Sequence, residues 1–203
     1  MKLTTSVFSA LVALALSAQA ATVTVGNLPG NVPVPISGLD GSALASGSVA
    51  IGIFSGDVGA LAGNGDIAGL KGAFQQFGNS VSMGFNGLAG LYQNTVAGTV
   101  GGSAFSGANV YTVIGDGADI AGSNGLLVFD HGITFVDEPG ATPDALITAG
   151  GNLILGSAAK GNVGGTDFDG FMLAGDAGPV IPEPSSALLG LMGLSALFLR
   201  RRK

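Results

Sequence analysis

The fold class this sequence predicts is mainly β, an antiparallel β-sandwich or compact β-sheet domain with one short helix, and three observations predict it. Short runs rich in Val, Ile, Leu and Phe alternate with glycine, and 35 of the 37 glycines fall between residues 21 and 180. One stretch of that interior has a helical period. Each end of the chain carries an apolar run that stands apart from the interior pattern.

Turn residues divide the interior into predicted strands at residues 48–54, 82–85, 110–114, 126–130, 133–136, 145–149, 152–155 and 168–173. Asp130-His131-Gly132 and Gly150-Gly151 are tight-turn candidates that would join successive strands as hairpins. Between residues 66 and 77 the apolar residues Ile67, Leu70, Phe74 and Phe77 recur at helical spacing, with Asp66 as N-cap and Gly78-Asn79 as the stop. This helix is expected to cover one edge or end of the sheet. A second short helical turn is expected near residues 118–123, and residues 21–40 are expected to flank the sheet domain.

Composition excludes several classes of protein. A chain that is 10% charged and 47% hydrophobic, with mean hydropathy +0.56, is not a disordered polyelectrolyte. Its glycines keep no strict third-residue period, so it is not collagen. With no cysteine it has no disulfide, thiolate metal site or cysteine nucleophile. Twelve acids against Lys71 and Lys160 give residues 21–180 a net charge of −10, which repels nucleic acid. Such a surface suits cations or neutral, hydroxyl-rich partners such as extracellular polysaccharide.

The ends read as addresses. Lys2 precedes an apolar stretch from Val7 to Leu16, and Ala18 and Ala20 supply the small residues that a signal peptidase accepts, which places cleavage before Ala21. Residues 1–20 are therefore an expected signal peptide, too short in its apolar part to cross a bilayer. At the other end Pro182-Glu183-Pro184 holds the chain extended and accessible, because both prolines fix their own φ and restrict the residue before. Ser185 or Ser186 can cap an apolar helix over residues 187–199, and Arg200, Arg201, Arg202 and Lys203 follow as a stop-transfer tail held on the cytoplasmic side. Thirteen residues span roughly 20 Å as a helix, short of a ~30 Å hydrocarbon core, a length that suits a temporary processing signal. The expected organisation is thus a signal peptide at 1–20, an exported β-rich domain at 21–174, a Pro/Gly linker at 175–186, a short transmembrane helix at 187–199 and a basic tail at 200–203.

Pro-Glu-Pro, a short apolar helix and a terminal arginine cluster, in that order, resemble the PEP-CTERM sorting signal of Gram-negative bacteria. The resemblance implies recognition by an exosortase, a membrane-embedded cysteine enzyme that cuts at or near the Pro-Glu-Pro element, with the inner membrane as the site of processing. It also implies a destination at the cell surface or in the extracellular matrix of bacteria that make exopolysaccharide and biofilm. Asn86-Gly87-Leu88, the stretch from Asn109 to Gly115 and Leu126-Leu127-Val128-Phe129 are similar to a body that recurs in some PEP-CTERM proteins and implies no activity.

Candidate chemistry in the body is sparse. His131 is the one histidine and adjoins Asp130, but no serine sits in a Gly-x-Ser-x-Gly elbow, and Ser103 and Ser106 lack that context. Asp167 and Asp169 fall on one face of a strand, the arrangement that a carboxylate pair needs. Gly115-Asp116-Gly117-Ala118-Asp119-Ile120-Ala121 resembles one copy of the calcium nonapeptide, and Gly63-Asn64-Gly65-Asp66-Ile67-Ala68-Gly69 echoes it, but two separated copies do not stack. The expectation is an exported, non-enzymatic protein without cofactor, metal or catalytic residues. The alternative is a carbohydrate- or calcium-binding extracellular module.

Overall fold

Three strands of the interior are apolar almost without a break because both of their faces are covered. The computed structural model describes residues 20–137 and 144–176. In chain order these form β1 (Ala20–Gly26), β2 (Ile36–Ser37), β3 (Ser48–Phe54), α1 (Val58–Gly63), α2 (Ile67–Ala73), β4 (Phe74–Ser82) and β5 (Gln93–Thr99). There follow β6 (Asn109–Gly115), β7 (Gly125–Thr134), β8 (Ala145–Leu146), β9 (Asn152–Leu155), β10 (Ser157–Val163), β11 (Thr166–Met172) and β12 (Ala174–Gly175). The largest sheet runs β12-β7-β6-β3-β4, with β9 also paired to β7. Two smaller sheets run β5-β1-β8 and β10-β11-β2. Pairing is antiparallel except at the two-residue junctions β1–β8 and β11–β2.

The period-two alternation of side chains sends each central strand into two cores. Val49, Ile51 and Ile53 of β3, Val110 and Ile114 of β6, and Leu127 and Phe129 of β7 face one side. There they meet Ala21, Val23 and Val25 of β1 and Val96 of β5. On the other side Ala50, Val113, Leu126 and Val128 meet Ile67 and Leu70 of α2, together with Ile120 and Leu155. The mainly antiparallel β architecture read from the sequence is present. The expected signal helix and transmembrane helix lie outside the described residues, and no described helix is long and apolar enough to cross a membrane.

Several expectations are corrected. Among the described residues two α-helices are present where one was expected in the body, and they cover a face of the sheet rather than its edge. The helix expected over 66–77 stops at Ala73, because Phe74 turns extended (φ −78°, ψ 128°) and pairs with Phe54. Phe77 then enters the first core while Ile67 and Leu70 enter the second, so the four could never have shared a helix face. Asp66 does cap α2, its carboxylate accepting from Gly69 N at 2.7 Å. Gly78 is no helix stop: it sits in β4 at φ +61°, where the β3–β4 register shifts, and it lies against Ala97 and Val96 too closely for a side chain. The strand expected at 82–85 is replaced by the end of β4 and a 3-10 turn at Phe85–Gly87.

The two strands expected at 126–130 and 133–136 are one strand, β7. Asp130-His131-Gly132 makes a bulge within it: Asp130 Oδ1 accepts from Gly132 N at 2.9 Å, Gly132 adopts φ +63°, and the register against β6 shifts there. The Gly150-Gly151 turn exists, with Gly151 N donating to Thr148 O, but β8 before it and β9 after it join different sheets. Residues 21–40 do not merely flank the domain, since β1 is the middle strand of its sheet, and 118–123 forms bends and turns rather than a helix.

Beyond β1 the chain is tied down by one buried side chain. Asn27, fully buried, donates from Nδ2 to Val34 O (2.8 Å) and Gly90 O (2.7 Å) and accepts at Oδ1 from Tyr92 N (2.8 Å). Removing it takes the side-chain partner from Val34 O and Tyr92 N in the interior, while Gly90 O keeps its bond from Ile36 N. Asn27→Ala is therefore expected to lower stability by roughly 2–4 kcal/mol in urea unfolding. A loss below half of that would show the amide to be dispensable.

Candidate functional site

The signals read at the two ends fall almost wholly outside the described residues. Ala18, Pro182, Glu183, Pro184 and the basic tail Arg200 to Lys203 lie there. Ala20 opens β1, paired with Thr99, and the next residue, Ala21, packs into the first core. At the C-terminal side, the boundary read between 174 and 175 falls inside β12, which pairs Ala174 with Leu126 and Gly175 with Gly125. The sheet thus extends to the edge of the expected linker.

The loop that resembles a calcium repeat uses its own ligands. Asp116 Oδ1 accepts from Asn124 N (2.7 Å) and Gly125 N (3.1 Å), and Asp119 Oδ1 accepts from Gly122 N (2.7 Å). Ser123 Oγ accepts from Gly117 N (3.0 Å) and donates to Asp119 O (2.8 Å), while Lys71 Nζ donates to Ser123 O. Ile120 plugs the loop into the second core. Each carboxylate is thus a turn former. The echo at Asn64 and Asp66 is a helix junction: the Asn64 N–H closes α1 on Ala60 O, and Asp66 caps α2. Among the described residues no three His, Asp or Glu side chains are grouped to hold a metal. A cleft of about 380 Å³ beside the loop has Ser46, Ser82, Met83 and Asp116 in its wall.

The catalytic candidates are likewise bonded within the chain. His131 Nε2 is 2.7 Å from Thr112 Oγ1, and Thr112 is fully buried, so the one hydroxyl on the imidazole cannot meet a substrate. Asp130 instead bonds Gly132 N and Asn152 Nδ2. Ser103 Oγ donates to Val100 O (2.5 Å) and accepts from Phe105 N (3.2 Å), and Ser106 Oγ donates to Asp137 (2.7 Å). Asp167 and Asp169 do share a face of β11, but each meets its register partner on β10: Asp169 bonds Lys160 at 2.6 Å, and Asp167 accepts from Asn162 at 2.8 Å. The Lys160–Asp169 pair is exposed, about 70% and 74% for the two side chains, and lies on an open hairpin rather than in a cleft.

Sequence reasoning missed two features. Asn27 looked like one polar residue in a flank, and no local pattern announces its three partners. The contact of His131 with Thr112 joins residues 19 apart across β6 and β7, and becomes legible only once those strands are paired. Burial lowers the His131 imidazole to about 4, against the opposing influence of the Asp130 charge and a backbone bond at Leu146.

Residues 180–203 match the family model of the PEP-CTERM protein-sorting motif. No curated protein and no solved structure matches the chain. The match covers the Pro-Glu-Pro element, the apolar run and the basic tail together, and it marks an exported protein that an exosortase-like enzyme processes at the membrane.

The buried imidazole sets a pH dependence whose sign is fixed. Above pH ~6.5 His131 is neutral folded and unfolded alike. Between ~6.5 and about 4 the unfolded chain binds the proton and the folded one does not, so stability falls as pH falls. Its slope cannot exceed about 1.4 kcal/mol per pH unit from this one group. Urea unfolding of wild type and His131→Gln between pH 7 and 4 is expected to show a shallower loss in the variant, and parallel curves would contradict the assignment.

Proposed function

We propose that the chain is a non-enzymatic protein of the cell surface or extracellular matrix, associated with exopolysaccharide or biofilm, and released to that place by cleavage at its sorting motif. The observation that carries this reading is the match over residues 180–203, with Pro182-Glu183-Pro184 ahead of the apolar run and the four cations. In it, Ala18 and Ala20 serve the signal peptidase, Pro182, Glu183 and Pro184 serve the exosortase-like enzyme, and Arg200 to Lys203 orient the segment in the inner membrane until cleavage. The bonding of His131, Ser103, Asp167 and Asp169 to their own chain supports a role without turnover.

Association with a neutral polymer is supported by the face of the β5-β1-β8 sheet that points away from the core. Val23 and Val96 face inward, so Thr22 and Thr24 of β1 lie on the opposite face with Thr95, Ala97 and Thr99 of β5, and Thr24 sits directly across from Thr95. The three β5 residues are exposed and the β1 threonines half-buried. A sheet face that carries hydroxyls and methyls without charge suits neutral, hydroxyl-rich sugar units. The loop carboxylates of Asp116 and Asp119, already bonded to backbone amides, make calcium the weaker form of the alternative.

Replacing Glu183 by Ala separates sorting from export. The expected result is normal removal of residues 1–20, loss of the processed surface form and accumulation of a membrane-retained form on fractionated immunoblots. An unchanged ratio of processed to retained protein would contradict the motif's role.

A further inference from the structure

We infer that two adjoining clefts at one end of the largest sheet form a recessed site for a short segment of neutral oligosaccharide. This rests on the reading of the chain as a partner of a neutral polymer, and it gives that polymer a contact separate from the β5-β1-β8 face.

The first cleft, of about 380 Å³, opens where β3 begins and where β4 and β6 end, with Gly47, Ser82 and Asp116 in its wall. The second, of about 360 Å³, lies over the 38–46 loop and has Leu39 and Leu44 in its wall. Ser46 and Asp116 belong to both, so the two adjoin there. Each falls at the lower end of the ~300–1,000 Å³ range of small-ligand sites.

The groups on these walls are those that bind a polyol. Ser103, Ser106 and Ser123 spend their hydroxyls on their own chain. Ser46 and Ser82 are exposed, and among the described residues their hydroxyls have no partner. Ser48 lies directly across from Ser82 and so directs its side chain to the same side of the sheet. It is 2% exposed, and its hydroxyl too has no partner. A buried hydroxyl is ordinarily satisfied, so this one marks a place where a polar group from outside the chain is accommodated. Asp116 gives Oδ1 to two amides, which leaves Oδ2 as an acceptor on the shared wall. A hydroxyl both donates and accepts, and a carboxylate oxygen binds a sugar hydroxyl more strongly than a neutral acceptor does. Leu39, Leu44 and Met83 offer apolar contact to the C–H groups of a ring. The charged residues on these walls are Asp40 and Asp116, with no Lys or Arg, so an acidic sugar is repelled.

The test uses the full-length chain in detergent micelles. Its probes are neutral glucan, mannan and galactan series, from single sugars to longer oligosaccharides, each beside its carboxymethylated form, with binding read by calorimetry. At least one neutral series should bind without added calcium, with affinity rising on the order of tenfold from the single sugar to the disaccharide. Its carboxymethylated form should bind on the order of tenfold more weakly. Ser46→Ala/Ser82→Ala removes two hydroxyls without adding bulk and should weaken binding by a similar factor at an unchanged urea midpoint, whereas Ser157→Ala on β10 should not. Binding that survives the double variant but is lost in Thr24→Val/Thr95→Val overturns the inference and leaves the neutral polymer on the β5-β1-β8 face. Binding that requires calcium, or that favours the carboxymethylated forms, overturns it as well. Failure of every neutral series to bind overturns both the site and the neutral-polymer reading.

Discussion

Three backbone segments meet at one side chain, and the β5-β1-β8 sheet depends on their staying together. Asn27 ends β1 by bonding Val34 and Gly90 carbonyls and the Tyr92 amide, all in the interior. The peptide groups of Asn27 reinforce this, its N–H donating to Tyr92 O and its carbonyl accepting from Val34 N. Tyr92 leads directly into β5, whose pairing with β1 begins at Gln93 and Gly26. A buried polar group of this kind is costly to misplace, so it specifies one register for β1 against β5 where a purely apolar contact would tolerate slippage. With no disulfide in the chain, that specification and the two cores carry the fold.

The acidic composition has a structural origin. Asp40, Asp57, Asp66, Asp116, Asp119 and Asp130 each accept from a backbone N–H nearby in sequence, at turns, helix starts or the β7 bulge. The pair on Ser42 holds the Asp40 carboxyl below its ordinary range. A glycine-rich chain needs many such turn closures, and aspartate supplies the acceptor without requiring a cation. The two lysines of the body are used sparingly: Lys71 closes the 116–125 loop and Lys160 lies across from Asp169 on the exposed hairpin. Charge that resembled a ligand signature in one dimension is therefore the by-product of turn-making in three.

Legibility in the sequence followed burial. β3, β6 and β7 were recognisable because their Val, Ile, Leu and Phe runs are what a covered strand requires, and β9 and β11 because apolar residues cluster in them although much of each is only partly buried or exposed. β10 (SAAKGNV) stayed hidden because most of its side chains are exposed, and β5 (QNTVAGT) because Val96 is its one buried residue. α1 (VGALAG) carries no legible helical signal, since glycines dilute its period, although Asp57 caps it in the same manner as Asp66 caps α2. β1 abuts the apolar leader, which masks its alternation of Ala21, Val23 and Val25. The sorting motif was the most readable part of all, because its information lies in contiguous residue types rather than in long-range pairing. His131 and Thr112 show the converse: two unremarkable positions become a polar contact only when β6 meets β7.

Delivery of this chain in the proposed way requires a cut at or near Pro182-Glu183-Pro184 that removes the apolar run and the basic tail. Intact-mass spectrometry of the protein recovered from producing cells, with and without the sorting enzyme, tests this most directly. The account predicts a mature chain that begins at Ala21 and ends at or near Pro182-Glu183-Pro184 when the enzyme is present, and retains Arg200 to Lys203 when it is absent. A surface-exposed protein that keeps its basic tail in cells with an active sorting enzyme would contradict it.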